Sequence, residues 1–163
     1  MLKIKTLIFV LIALVIATGC SANTASEQSP QEPLFLWPTE DASATVTVYK
    51  NHAGKGIDFV PGDDAGAAIF ASANGIVARA EQGDTGYGNY IVIEHEDGYE
   101  TLYAHLETID VAAGDNVTAG DTIAKMGQTG WATKAHLHFE IHKDGQHLPP
   151  LDYIEADTVI QQD

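Results

Sequence analysis

The residues with the clearest chemical potential form an alternating run from His136 to Ile141. Side chains alternate between the two faces of a β-strand, so the apolar residues of this run are expected to fill a core while His136, His138 and Glu140 share the opposite face. Two imidazoles spaced this way lie roughly 6.6 Å apart at the backbone, near enough to converge on one metal ion or one water molecule. The alternative is an outer strand face that carries histidines without a shared role.

The segments around this run have the short apolar patterns of strands, and glycines separate them. No stretch between Ala44 and Pro149 keeps a 3.6-residue apolar period with helix caps, so we predict a mainly β domain with an antiparallel sheet core. The sequence Glu96-Asp97-Gly98 indicates a hairpin turn. The candidate strands are residues 45–49, 68–71, 75–78, 90–95, 100–105 and 122–124.

The first 19 residues have the pattern of a secretory signal peptide. Lys3 and Lys5 precede an apolar run over residues 7–17, which is shorter than the about 20 apolar residues that span a membrane. Cys20 follows this segment and is the only cysteine in the sequence, which excludes an intramolecular disulfide. The segment Ala17-Thr18-Gly19-Cys20 resembles the lipobox of bacterial lipoproteins.

That resemblance implies that Cys20 is lipidated and anchors the protein to a membrane of the cell envelope. In a Gram-negative host, Ser21 directly after the cysteine implies an outer-membrane location that faces the periplasm. An unmodified cysteine in an uncleaved anchor is the alternative.

The predicted organisation is a signal peptide over residues 1–19, a flexible tether over 20–43, a folded domain over 44–155 and a C-terminal tail over 156–163. The tether is rich in Ser, Pro, Glu and Gln. Without the signal peptide the chain keeps six of its eight lysines and arginines against 23 acidic residues, a formal charge of −17. Such a charge argues against nucleic acid as a partner.

Seven sequence blocks occur in an order that is similar to the lysostaphin-like (LytM-type) zinc metallopeptidases. The resemblance covers about residues 46–154. It implies an antiparallel β-sheet core and a zinc endopeptidase that hydrolyses peptide bonds in peptidoglycan cross-links. The blocks are residues 56–59, 75–77, 86–95, 103–106, Gly114 with Gly120, 126–130 and 136–140.

The family motifs also imply roles for single residues. Asp58 and His138 match two zinc ligands, and His105 and His136 match the catalytic histidines that flank the water molecule at the metal. Zn²⁺ takes nitrogen and oxygen ligands at about 2.0–2.2 Å and acidifies a bound water molecule. A neutral imidazole can accept the released proton, and a second imidazole can stabilise the oxyanion at the attacked carbonyl.

One family position differs in this chain. The first motif usually has a histidine four residues before the aspartate, and Gly54 stands there. His52, six residues before Asp58, is a candidate third zinc ligand because the glycines at 54 and 56 let the chain fold back. Alternatively His52 is a solvated loop residue, and the protein is a degenerate family member that activates a cell-wall amidase through the same groove.

Other notable side chains have simpler interpretations. We expect His95 to be structural, and His142 and His147 to lie at the surface. Tyr87 and Trp131 belong to segments that border the groove in the family, where they either stack on substrate or pack against the domain.

Overall fold

The computed structural model describes residues 35–39, 45–47, 56–62 and 66–154, all within one compact unit. These ranges contain two short 3₁₀ helices, Glu96–Gly98 and Pro150–Asp152, and neither is long enough to cross a membrane. They also contain eleven strands: β1 (Thr45–Thr47), β2 (Ile57–Val60), β3 (Ala68–Phe70), β4 (Gly75–Glu81), β5 (Tyr90–Glu94), β6 (Tyr99–Ala104), β7 (Leu106–Ile109), β8 (Asn116–Val117), β9 (Thr122–Met126), β10 (Leu137–Lys143) and β11 (Gln146–Leu148).

The strands form two antiparallel sheets, which confirms the predicted fold class. The larger sheet has the order β1-β2-β10-β6-β5-β4-β8, and β11 pairs with the second half of β10. The smaller sheet has the order β3-β9-β7. Because β10 pairs with β2 over residues 137–139 and with β6 over residues 138–143, three segments that are distant in sequence meet around it.

The core contains residues of both sheets. Phe139 on β10 packs edge-on against Tyr103 on β6 and Phe59 on β2, with ring centroids 5.3 and 6.2 Å apart. Ile69 and Ile123 of the smaller sheet belong to the same fully buried cluster. As the alternation predicted, the apolar side chains of β10 are completely buried: Leu137, Phe139 and Ile141.

Residues 35–39 also pack on the domain, although they lie inside the segment predicted as a tether. Phe35 is 3% exposed and forms a parallel bridge with Ile154, and Thr39 bridges Ile69. Residues 35–39 therefore belong to the folded domain, although the predicted domain begins at residue 44. Cys20, His52 and Gly54 lie outside the described residues.

Strand register brings the site residues together. His138 on β10 pairs with Asp58 on β2 and with Ala104 on β6. Directly opposed residues of antiparallel strands have Cα atoms about 4.5–5.5 Å apart, so their side chains can touch. His105 follows Ala104, where the chain leaves the larger sheet for the smaller one.

Candidate active site

The four residues predicted for metal binding and catalysis within the described ranges form one group, which we call the Asp58 cluster: Asp58, His105, His136 and His138. His138 Nδ1 donates a hydrogen bond to Asp58 Oδ1 at 2.7 Å, and Asp58 Oδ2 lies 3.6 Å from His136 Nε2. The ring centroids of His105 and His136 are 4.6 Å apart. Asp58 and His138 are 5% and 6% exposed, so both are largely shielded from water.

His105 is held in a fixed orientation and tautomer. Its backbone φ of +64° is unusual for a residue other than glycine, and such strain persists only where surrounding contacts impose it. Its backbone N–H donates to the Tyr87 carbonyl at 2.9 Å, and its ring Nδ1 donates to the Thr129 carbonyl, also at 2.9 Å. Because a neutral imidazole has one N–H, His105 Nε2 then has a free lone pair that can accept a proton.

His138 lies between two carboxylates. Its Nδ1 donates to Asp58, and its Nε2 donates to Glu140 Oε1 at 2.9 Å. Burial alone would lower the pKa of His138, but these hydrogen bonds outweigh burial and raise the pKa to about 9. To bind a metal ion, His138 would have to give up one ring proton, and its bond to Glu140 would keep the ring oriented.

Glu140 and Tyr87 are site residues that sequence reasoning did not assign. Glu140 is 1% exposed, and its Oε1 also accepts a hydrogen bond from the Tyr87 hydroxyl at 2.9 Å. Burial would raise the pKa of Glu140, but hydrogen bonds from His138 and His142 hold it at about 2. The Tyr87 ring stacks on His138 with centroids 5.9 Å apart. The sequence offered a signal for each residue: the alternating pattern of β10 placed Glu140 on the histidine face, and Tyr87 belongs to a segment that was expected to border the groove.

Gly56 makes this close packing feasible. A methyl group at Gly56 would lie 2.8 Å from the Phe139 carbonyl oxygen and 2.9 Å from His138 Cε1. It would also lie 2.9 Å from Glu140 Cγ. Any larger residue would therefore push β2 away from the His138 and Glu140 side chains, which explains the glycine two residues before Asp58.

The two aromatic residues that were expected near the groove differ in their surroundings. Tyr87 is partly covered and contacts the site, as described above, whereas the Trp131 side chain is 77% exposed. The backbone N–H of Trp131 donates to the Gly86 carbonyl at 3.0 Å, so the two loops touch through main-chain atoms. The Tyr87 ring therefore packs on His138 while 39% of the residue stays exposed, and Trp131 is exposed beside the same loop.

The donor set fits a zinc ion in part. Asp58 supplies a carboxylate oxygen and His138 an imidazole nitrogen, and both side chains are buried and face each other. Zinc sites that catalyse reactions use three protein ligands and one open position. Of the three predicted ligands the described residues supply two, and His52 is the candidate for the third.

His105 and His138 are expected to differ in charge at neutral pH in the metal-free protein. Burial, together with repulsion from His136, lowers the pKa of His105 to about 4, whereas the pKa of His138 is about 9. At pH 7 His105 is therefore neutral and His138 is protonated on both nitrogens. An NMR titration of the imidazole Cε1–H signals in chelator-treated protein measures both values. A His105 midpoint near the ordinary 6.5 would contradict this electrostatic picture.

Comparison with known proteins adds evidence that is independent of this geometry. The model of peptidase family M23 matches residues 52–150. The murein hydrolase activator NlpD of Escherichia coli is 40% identical over 120 residues, which are 74% of this chain and 31% of that protein. The outer membrane antigenic lipoprotein B of Haemophilus influenzae is 38% identical over 121 residues, covering 74% of this chain and 29% of that protein.

A solved structure also matches. The crystal structure of a zinc-containing peptidase from Vibrio cholerae superimposes with a TM-score of 0.60 and 31% identity. The match covers 69% of this chain and 37% of that one. The chain spans about a third of the length of the two curated relatives.

Proposed function

Because the chain belongs to peptidase family M23, as its ordered sequence blocks predicted, we propose that it is a zinc-dependent endopeptidase that hydrolyses peptide bonds in peptidoglycan. The observation that supports this proposal best is the convergence of four side chains around the paired strands β2 and β10: Asp58, His105, His136 and His138. Three imidazoles beside the buried Asp58 are each oriented by a hydrogen bond to a carbonyl or a carboxylate, as acid–base and metal chemistry require.

The residues of the Asp58 cluster would divide the work. Asp58 and His138 hold the zinc ion, which when bound supplies a Lewis acid that polarises a carbonyl and acidifies a water molecule. His105, whose Nε2 is left as an acceptor by the bond from Nδ1 to Thr129, would take a proton from the attacking water and give it to the leaving amine. His136 Nδ1 lies 2.9 Å from the Lys134 carbonyl and donates to it, so His136 would stabilise the oxyanion from Nε2 with its ring protonated on both nitrogens.

A second candidate function follows from the relatives. The E. coli relative is a murein hydrolase activator, and Gly54 replaces the usual first-motif histidine. In this alternative the chain lacks a third zinc ligand and uses the same face to bind and activate a cell-wall amidase. Both candidates share the cell wall as the place of action.

The two functions are distinguished by which bonds of purified peptidoglycan are hydrolysed when the protein is added. An endopeptidase incubated alone with peptidoglycan cleaves cross-linked peptides, and mass spectrometry of the soluble products then shows uncrosslinked stems still attached to sugar. An activator leaves peptidoglycan intact alone and, mixed with a cell-wall amidase, increases the release of whole stem peptides from the glycan. If the protein stimulates the amidase but cleaves no cross-links alone, the endopeptidase proposal is overturned.

We also propose that Cys20 is lipidated and holds the protein at the cell envelope. The H. influenzae relative is an outer membrane lipoprotein, and Cys20 follows a signal-like segment. Cys20→Ser is expected to move the protein from the membrane fraction to the soluble fraction, because the acyl chains can no longer be attached. Fractionation and intact mass measure this outcome, and an unchanged mass and membrane location would exclude lipidation.

A further inference from the structure

A second group of possible ligand side chains lies on the hairpin that β10 and β11 form. His142 on β10 pairs directly with His147 on β11, and their ring centroids are 4.2 Å apart. Glu140 points its Oε2 at the same pair. We call these three residues the hairpin cluster, and we propose that they form a transition-metal site that is separate from the Asp58 cluster.

The distances within the hairpin cluster fit one small ion. Glu140 Oε2 lies 2.7 Å from His142 Nε2 and 3.4 Å from His147 Nδ1, and all three ligand atoms lie within 4.8 Å of one another. Ligands about 2.1 Å from a tetrahedral ion are about 3.4 Å apart, so small side-chain adjustments suffice to bring all three into contact with it. Among the residues that the structure describes, the hairpin cluster is the group in which three His, Cys, Asp or Glu side chains bring their ligand atoms this close together.

The hairpin backbone fixes this arrangement. Asp144 and Gly145 connect the strands, and both have positive φ values, 50° and 75°, as a two-residue type I′ turn requires. That turn sets the register in which Lys143 pairs with Gln146 and His142 with His147. Two histidines opposed across an antiparallel pair therefore need little ordering on metal binding, which lowers the entropic cost of the site.

Exposure and ligand chemistry define which metals fit. The side chains of His142 and His147 are 19% and 32% exposed, whereas that of Glu140 is 2% exposed. The site thus has a buried anionic anchor and two rings that solvent can reach, which leaves room for water to complete the coordination. Two imidazoles and one carboxylate suit Zn²⁺, Cu²⁺ or Ni²⁺ better than Mg²⁺ or Ca²⁺.

Glu140 links the two sites through its two oxygens. Oε1 accepts hydrogen bonds from His138 and Tyr87, while Oε2 faces the hairpin histidines. A metal at Oε2 leaves the bonds to Oε1 in place and restrains the carboxylate that orients His138. The hairpin site does not depend on the endopeptidase proposal, because it shares no predicted zinc ligand with the Asp58 cluster.

Metal titration of the full chain tests the proposal. The chain carries Cys20→Ser so that no thiol can bind the metal. It is freed of metal with a chelator and then titrated with Zn²⁺ alone by calorimetry. In an Asp58→Asn background, which weakens the first site, one zinc equivalent is expected to remain. Adding His147→Ala should lower the affinity for that zinc ion at least tenfold, and adding His142→Ala should lower it by a similar factor. Gln146→Ala, next to His147 but on the opposite face of the strand, is the matched control and should leave the zinc affinity unchanged.

Two results would overturn the hairpin site. One is the absence of any zinc equivalent in Asp58→Asn while circular dichroism shows a folded protein. The other is an unchanged zinc affinity in His147→Ala and His142→Ala. If either histidine variant fails to fold, the NMR signals of Asp58→Asn, which keeps both histidines, decide the matter, because one equivalent of paramagnetic Co²⁺ must broaden the His142 and His147 imidazoles. Failure of peptidoglycan hydrolysis affects none of these readouts.

Discussion

His138→Ala is expected to abolish zinc binding at the Asp58 cluster and peptidoglycan hydrolysis together. Loss of an outer-shell partner alone weakens metal binding about 10–100-fold, so loss of a direct ligand should weaken zinc binding by at least a hundredfold. The substitution also leaves Asp58 and Glu140 without the imidazole that lies between them. Two buried carboxylates would then face each other without a cation, which destabilises the fold around the site. Zinc affinity and hydrolysis rate, measured on the same preparations, check this result.

His105→Ala and His136→Ala serve as the comparison for His138→Ala. Neither residue is expected to hold the metal, so zinc binding should persist in both variants. Hydrolysis should fall about 10²–10⁴-fold, the usual contribution of a positioned acid or base. Equal loss of zinc in all three variants would contradict this division of roles and would make His105 and His136 ligands.

His52→Ala is expected to reduce zinc binding and hydrolysis by a large factor if His52 supplies the third ligand. Asp58 and His138 alone provide two of the three protein donors of a catalytic zinc site, so removing the third cannot be compensated by the remaining pair. Asn51→Ala, at the adjacent position, is the matched control and should keep both properties. Zinc affinity at pH 7 and peptidoglycan hydrolysis are the measurements.

Gly54→His gives the reciprocal experiment, because it restores the usual histidine four residues before Asp58. If wild type already binds zinc and hydrolyses peptidoglycan, Gly54→His should increase neither property by much. If wild type binds zinc weakly and His52→Ala changes nothing, while Gly54→His creates tight binding and hydrolysis, the amidase-activator alternative is correct and the endopeptidase proposal fails.

Local alternation explains why much of β10 could be predicted from sequence. A period of two residues placed Leu137 and Phe139 in the core and His138 on the opposite face, and the structure has this arrangement. The antiparallel β fold followed from short apolar segments and turn residues. In contrast, the candidate strands left out β2, β7, β8 and β11, whose two to four residues mix polar and apolar side chains within segments that lack a clear period.

The partners of the site residues were harder to predict, because they depend on register between distant segments. Asp58 and His138 are 80 residues apart in sequence and meet because β2 and β10 pair. Thr129 fixes His105 through a backbone carbonyl, which leaves no signal in residue type. The expectation that His142 and His147 lie at the surface agrees with their partial exposure. Alternation along β10 placed Glu140 between His138 and His142, whereas the approach of His147 depends on the pairing of β10 with β11.

The measurement that tests the central claim most directly is zinc-dependent amine release from purified peptidoglycan by the full chain. Chelator-treated wild type should release no new amino groups, and one to two equivalents of Zn²⁺ should restore release. Asp58→Asn with the same zinc should stay inactive, because its site lacks the carboxylate ligand. If zinc-loaded wild type releases no amines, or releases them equally with chelator or with Asp58→Asn, the Asp58 cluster is not a zinc peptidase site.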